Sequence, residues 1–489
     1  MTSAVLHRDL HVKPHHVVQA SGLYLTLSSG KKIIDATGGA AVSCIGHGNR
    51  RVQDAISAQV QKLDYCQSMF FSCDAYEDLA QFLIDSTNGQ MSKAYIINSG
   101  SEAMDGAMKL ARQYFMELSP PQPQRIRFIA RQESYHGNTL GALAMSGHKI
   151  RRAIYEPMLS PNISHVSACN AYHGPRKGES LDGYVARLAL ELDGEFQRVG
   201  PDTVCAFVAE PLVGAALGCV PSPPGYFKAM KKVCDKYGSL LILDEIMSGM
   251  GRVGTLHAWE QEGVVPSIQT IGKGLGGGYV PIAGILVGHD VVKVLDDGTG
   301  QFMHGHTYQG HPIACAAAVE VQKIIAEQNL LQNVRNMGHR LESKLNATFA
   351  NHPYVGNIRG RGLFWGMEFV KDKASKEPFD PTVGLATAIH DEGLALDPGV
   401  MLYPGRGSVD GRRGDHIIIA PPYNVTEEQI DLIINGTWQA IENALRRTFR
   451  TDAKILLIRM GYLVLSTIPK MHMIQTDTGL LSPQDEAIC

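Results

Sequence analysis

Lys273 lies in an unusual setting, Ile271-Gly272-Lys273-Gly274-Leu275-Gly276-Gly277-Gly278, downstream of Asp244, which ends the apolar run Leu240-Leu241-Ile242-Leu243. A lysine between glycines has open space around its amine and a backbone that can turn sharply without a Cβ clash. An aspartate at the C-terminal end of an apolar strand sits where open α/β sheets bind ligands. Together they suit a lysine that forms a Schiff base and a carboxylate that keeps a ring nitrogen protonated, which is the chemistry of pyridoxal phosphate (PLP).

Four other segments offer compatible groups. Asn98-Ser99-Gly100-Ser101-Glu102-Ala103 joins a strand to a helix, so Gly100 and Ser101 place N–H groups and a hydroxyl where a phosphate can bind; the same residues also suit a plain helix cap. Ser134-Tyr135-His136-Gly137 follows the strand-like run 126–130 and puts an aromatic ring at the sheet edge, either to stack on a pyridine face or as an ordinary half-buried tyrosine. Ala209-Glu210-Pro211 ends another run and adds a carboxylate, which could equally cap a helix or pair with an arginine. His304-Gly305-His306-Thr307-Tyr308-Gln309-Gly310 is a polar loop before an apolar helix, or a simple connector.

The elements that must position these groups alternate. Between about 75 and 325, helical spacing over 101–117 and 224–237 is interleaved with short apolar runs at 94–97, 126–130, 204–209 and 240–243. Such a pattern predicts a mostly parallel sheet covered on both faces. Before it, Gly22–Leu27 and Lys32–Asp35 read as two strands about a turn. After it, helices are expected near 311–326 and 330–350, then a strand over 359–370, another over 416–420, and a terminal helix capped by Thr426. The expected division is an N-terminal segment 1–65 belonging to a small domain, a large domain 66–325, a C-terminal small domain 326–450, and an extension 451–489. The extension has an apolar run, Ile455 to Ile468, and no role can be assigned to it.

At 489 residues, with 44% hydrophobic and 19% charged residues, the chain has the composition of a soluble globular protein. A net charge of −3 gives no reason to invoke nucleic acid or an anionic membrane. The nine cysteines are scattered, with neither disulfide nor metal spacing, and no secretory signal or membrane span is read. A cytoplasmic protein without a metal is expected.

The order of the motifs, and their shared place at strand ends, resembles the class III (subgroup II, ornithine- and ω-amino-acid-type) PLP-dependent aminotransferases. The resemblance runs from about residue 15 to 445. To the segments above it adds Gly39–Ser43 with Gly46-His47-Gly48, Asp244-Glu245-Ile246-Met247-Ser248-Gly249-Met250-Gly251-Arg252, Arg359-Gly360-Arg361-Gly362-Leu363 and Pro421-Pro422. Met250 and Val253 stand where the family often has phenylalanine and threonine. The resemblance implies fold type I, an α/β architecture with a mostly parallel sheet between helices plus a smaller α+β domain. It implies transfer of an amino group from an amino acid or amine to a 2-oxo acid, pyruvate or 2-oxoglutarate. Lys273 and Asp244 would be catalytic. Gly100 and Ser101 would hold the phosphate, joined by Thr307 from the neighbouring subunit of a homodimer or tetramer. Ile246 and Tyr135 would flank the ring, His136 would also touch the cofactor, and Glu210 would lie on the substrate side. The arginine for a substrate carboxylate falls in Gly411-Arg412-Arg413-Gly414-Asp415, with Arg412 chosen ahead of Arg413. A decarboxylating transaminase or an aminomutase would use the same residues, and a catalytically silent binding protein is the reading from another class. Donor, acceptor and stereopreference are left open.

Overall fold

Every residue of the runs 204–209 and 240–244 is buried, because successive side chains feed two different cores. Leu240 and Ile242 join Ala206 and Val208 beneath the helix Gly100–Glu117, which contributes Ala103, Met104, Ala107 and Leu110. Leu241 and Leu243 join Phe207 and Ala209 on the opposite face, under the helices Leu181–Val199 and Tyr226–Lys236. A sheet with both faces dry must be apolar throughout, and these runs are.

The computed structural model describes residues 3–466, with side chains as far as residue 449. Its strands are β1 (Val17–Ser21), β2 (Tyr24–Leu27), β3 (Lys32–Asp35), β4 (Met91–Ile97), β5 (Arg127–Arg131), β6 (Ile163–Val166), β7 (Val204–Ala209), β8 (Leu212–Val213) and β9 (Val220–Pro221). They continue with β10 (Leu240–Asp244), β11 (Ile268–Ile271), β12 (Ala283–Gly288), β13 (Val355–Arg361), β14 (Phe364–Phe369), β15 (Gly399–Met401), β16 (Tyr403–Arg406) and β17 (Asp415–Ile419). The central sheet has the order β4-β12-β11-β10-β7-β5-β6. Only β12 runs against its neighbours, β11 and β4. The C-terminal ends of β4, β5, β7, β10 and β11 therefore share one edge.

Two smaller sheets flank this core. In one, β1, β2 and β3 form a meander whose last strand pairs in parallel with β15, Ile33 opposite Gly399. The other has the order β13-β14-β17-β16. The single strand expected over 359–370 is a hairpin, because Gly362 turns the chain at φ 55° between β13 and β14. The strand expected from Gly22 starts at Tyr24, with Gly22 held instead in a bridge to His47. The helices expected near 311–326 and 330–350 are Pro312–Glu327 and Leu330–Phe349.

The described residues as far as Ala444 make one compact unit, and those from Leu445 belong to a second. The Thr426 hydroxyl accepts the Gln429 N–H at 3.3 Å and caps a helix running from Glu427 to Ser466. The apolar run 455–468 is helical as far as Ser466, and its last two residues lie outside the described residues. Among the described residues no helix is long and apolar enough to cross a membrane.

Candidate active site

Five strand ends deliver the groups. The pocket at the shared edge is lined by Gly100 and Ser101 after β4, Tyr135 and His136 after β5, Glu210 after β7, Asp244 and Ile246 from β10, and Lys273 after β11. Each ends or follows a strand of the central sheet whose burial fixes the position of its end. Asp244 is held on both oxygens. Oδ2 lies 2.7 Å from His136 Nδ1, and Oδ1 accepts the Ile246 N–H at 3.1 Å. An ionised Asp244 assigns the His136 proton to Nδ1. His136 Nε2 is buried without a partner.

Lys273 is the strained residue of the loop. Its φ is 43°, in the left-handed region that costs a side-chain-bearing residue of order 1–3 kcal/mol. Burial pulls its amine below the ordinary lysine range; Asp244 and Glu210 oppose that shift and Arg151 adds to it. A neutral amine is the nucleophilic form. The neighbouring glycine does something other than free the lysine: a Cβ on Gly272 would lie 3.1 Å from Ile246 Cδ1, and one on Gly100 would lie 3.0 Å from Ile246 Cγ2. Both glycines make room for Ile246 to enter the pocket.

Ser99 caps the helix Gly100–Glu117, its hydroxyl accepting the Glu102 N–H at 3.3 Å while the Glu102 carboxylate accepts the Asn98 N–H. Gly100 and Ser101, whose N–H groups belong to that first turn and have no intrahelical acceptor, line the pocket, and Ser101 Oγ accepts the Asn138 N–H at 3.0 Å, leaving its own proton to donate. Gly137 permits this approach: a Cβ there would lie 2.5 Å from Ser101 Oγ. The donor set fits PLP, with a helix N-terminus and hydroxyl for the phosphate, a carboxylate for a protonated ring nitrogen, and an amine for the aldehyde.

Glu210 orders the Tyr135 turn. Its Oε1 accepts the Tyr135 N–H at 3.0 Å and its Oε2 the Gly214 N–H at 3.1 Å. Burial raises this carboxyl, Asp244 raises it further, and His136 works the other way. The fully buried Arg131 donates to the Glu210 carbonyl and fixes the end of β7. Glu245, pointing away from the pocket, accepts the N–H groups of Ala258 and Trp259 at 2.6 and 2.8 Å and the Gln269 amide at 2.9 Å. It pins the loop that follows Asp244.

Two expected groups are not among the residues lining the pocket. Thr307 is exposed, and its carbonyl accepts the Tyr65 hydroxyl at 3.0 Å. Arg412 is exposed and gives its backbone N–H to Asp410, while the Arg413 guanidinium pairs with the same carboxylate at 2.7 Å. Sequence reasoning missed Met247, which lines the pocket, and Arg151, whose guanidinium carbon lies 4.5 Å from the Tyr135 ring centroid. It also missed that His136 holds Asp244. Met247 follows Asp244 by three residues and could have been found from that spacing; nothing local marks Arg151.

The model of one protein family, described as aminotransferase class-III, matches residues 6–441. An aminotransferase of Gibberella zeae is 54% identical over 441 residues, covering 90% of this chain and 86% of that protein. Among solved structures, the ω-transaminase of Pseudomonas jessenii in complex with PMP superposes with a TM-score of 0.83 at 32% identity, covering 89% of this chain and 94% of that one. An amine transaminase from an uncultivated Pseudomonas species in its PLP-bound form gives 0.83 at 29% identity, covering 90% and 97%.

Proposed function

The chain belongs to the class III aminotransferases and is a PLP-dependent transaminase, and from that premise we propose that Lys273, Asp244 and the strand-end cluster around them carry the reaction. The observation that supports this most is the convergence of a buried amine, a doubly held carboxylate and a helix N-terminus in one pocket. When bound, PLP supplies an electron sink for the pair left on the substrate carbon after its proton departs. Lys273 Nζ would hold the cofactor covalently at rest and, once a substrate amine has displaced it there, would be free to take the proton from the amine-bearing carbon and return it on the cofactor side. Asp244, oriented by His136, keeps positive charge on the ring nitrogen. Gly100 and Ser101 bind the phosphate, while Ile246 and Tyr135 confine the ring between them. Glu210 sets the Tyr135 turn and thereby the wall beside the substrate.

The donor is an amino acid or amine and the acceptor a 2-oxo acid, pyruvate or 2-oxoglutarate. A homodimer would bring Thr307 to the partner's phosphate site. Support comes from the exposed side chains of Met69, Phe70, Phe71, Met303 and Tyr308, in two segments that the Tyr65–Tyr308 ring contact at 5.9 Å ties together. A surface of this kind is suited to burial against a second copy. The eight described cysteines are all unpaired, which supports a reducing compartment such as the cytoplasm.

Borohydride reduction of the PLP-loaded enzyme should fix the cofactor to the peptide containing Lys273. Label on another lysine would refute the assignment. Screening amine donors against pyruvate and 2-oxoglutarate then identifies the substrates.

A further inference from the structure

The short helix Lys149–Arg152 carries three basic residues, Lys149, Arg151 and Arg152, and they are used differently. Lys149 Nζ donates to the Asp410 carbonyl at 2.8 Å and lies 3.3 Å from the Glu133 carboxylate. Arg152 pairs with Glu156 at 2.9 Å and donates to the carbonyls of Ala144 and Ser146. Arg151, half-buried, has no carboxylate partner among the described residues; its one described side-chain contact is the face of Tyr135. Tyr135 is a wall of the pocket that holds Lys273.

The surroundings leave this guanidinium without an internal anion. Asp244 is taken up by His136 and the Ile246 N–H, and Glu210 by the N–H groups of Tyr135 and Gly214. The charge of Arg151 reaches both the Tyr135 hydroxyl and the Lys273 amine, lowering each, though burial is the larger influence on both. Arg8 adds a second positive charge beside Tyr135. A guanidinium stacked on an aromatic face keeps the edge of its donor fork free, and that edge matches a carboxylate.

We propose that Arg151 receives the carboxylate of the amino donor at the pocket mouth and so selects amino acids over uncharged amines. The proposal rests on the transaminase reading of the pocket and assigns the role that the family resemblance had given to Arg412. Neither arginine lines the pocket itself, but Arg151 lies over the ring of Tyr135, which does, whereas Arg412 is exposed.

The test is the half-reaction of PLP-loaded enzyme with donor alone, followed through cofactor absorbance. Matched donors differ only in the charged group: alanine against isopropylamine, and 4-aminobutyrate against butylamine. Wild type should favour the carboxylate member of at least one pair. In Arg151→Met the half-saturating concentration of that donor should rise roughly ten- to a hundredfold, the loss of one charge-assisted contact. Its uncharged counterpart should move less than about threefold. Arg151→Lys should recover part of the loss, as a point charge without the fork. Equal losses for both members of a pair, or loss of PLP itself, would overturn the proposal. So would a carboxylate-selective loss in Arg412→Met with none in Arg151→Met. A wild type that converts only the uncharged amines overturns the anchor and leaves the transaminase standing; one that converts no amine with any 2-oxo acid takes both down.

Discussion

The residue that carries the chemistry is also the one the fold holds least comfortably. Lys273 combines a left-handed backbone with a buried amine, and both features work against stability. The folded chain binds fewer protons than the unfolded chain between the lowered value and the ordinary lysine value of about 10.4, so the contribution of this group to stability rises with pH across that window. Below the window the cost is complete. Asp244 and Glu210 soften it without cancelling it. Cofactor-free Lys273→Ala should therefore melt above cofactor-free wild type at pH 7, and the gap should close towards pH 10. A wild-type apoprotein that melts higher at pH 7 would show that the two carboxylates outweigh burial. Asp244 was legible in the sequence because it ends a recognisable apolar run, and Lys273 because glycines flank it downstream of that run. His136 as the holder of Asp244 was not, since the contact joins residues 108 positions apart. Arg151 was invisible for a related reason: among three basic residues on one short helix, only the folded partners reveal which charge is left over.

Among elements, the helix Gly100–Glu117 matters most, because the position of its first turn depends on a glycine in another segment. Gly137 has φ 136°, and a Cβ there would meet Ser101 at both its hydroxyl and its Cα, at 2.5 and 2.9 Å. Gly137→Ala should push the helix start away from the phosphate position. Strain of order 1–3 kcal/mol corresponds to roughly ten- to a hundredfold weaker PLP binding. A fluorescence titration of apoprotein with PLP measures it, with far-ultraviolet circular dichroism unchanged; wild-type affinity would mean the turn relaxes freely. In the central sheet β4, β5, β7 and β10 were legible as short apolar runs. β6, β11 and β12 were passed over. In β11 the polar Gln269 and Thr270 interrupt the pattern, although both are fully buried, Gln269 among Trp259, Glu245 and His257. The hairpin β13–β14 read as one strand because its two-residue turn, Gly362-Leu363, holds a single left-handed glycine within an otherwise continuous run.

At the scale of the whole molecule, the exposed Thr307 loop gives a test of assembly. A mixture of Lys273→Ala and Thr307→Ala subunits should regain activity above that of either alone if the loop serves the partner. One site of the mixed dimer then carries both lesions and the other neither. No gain, with subunit exchange demonstrated, would return Thr307 to its own chain or to no role. Among the described residues the longest-range strand pairing is that of β3 with β15, which no local pattern announces. About 360 residues separate the two strands. On a ribosome adding about 5–20 residues per second, β3 emerges roughly 20–70 s before its partner. Throughout that interval its hydrogen-bonding edge and the apolar Ile33 and Ile34 are without their final cover. The N-terminal meander is thus made first and finished among the last, and newborn chains must be kept apart until residue 401 has been delivered.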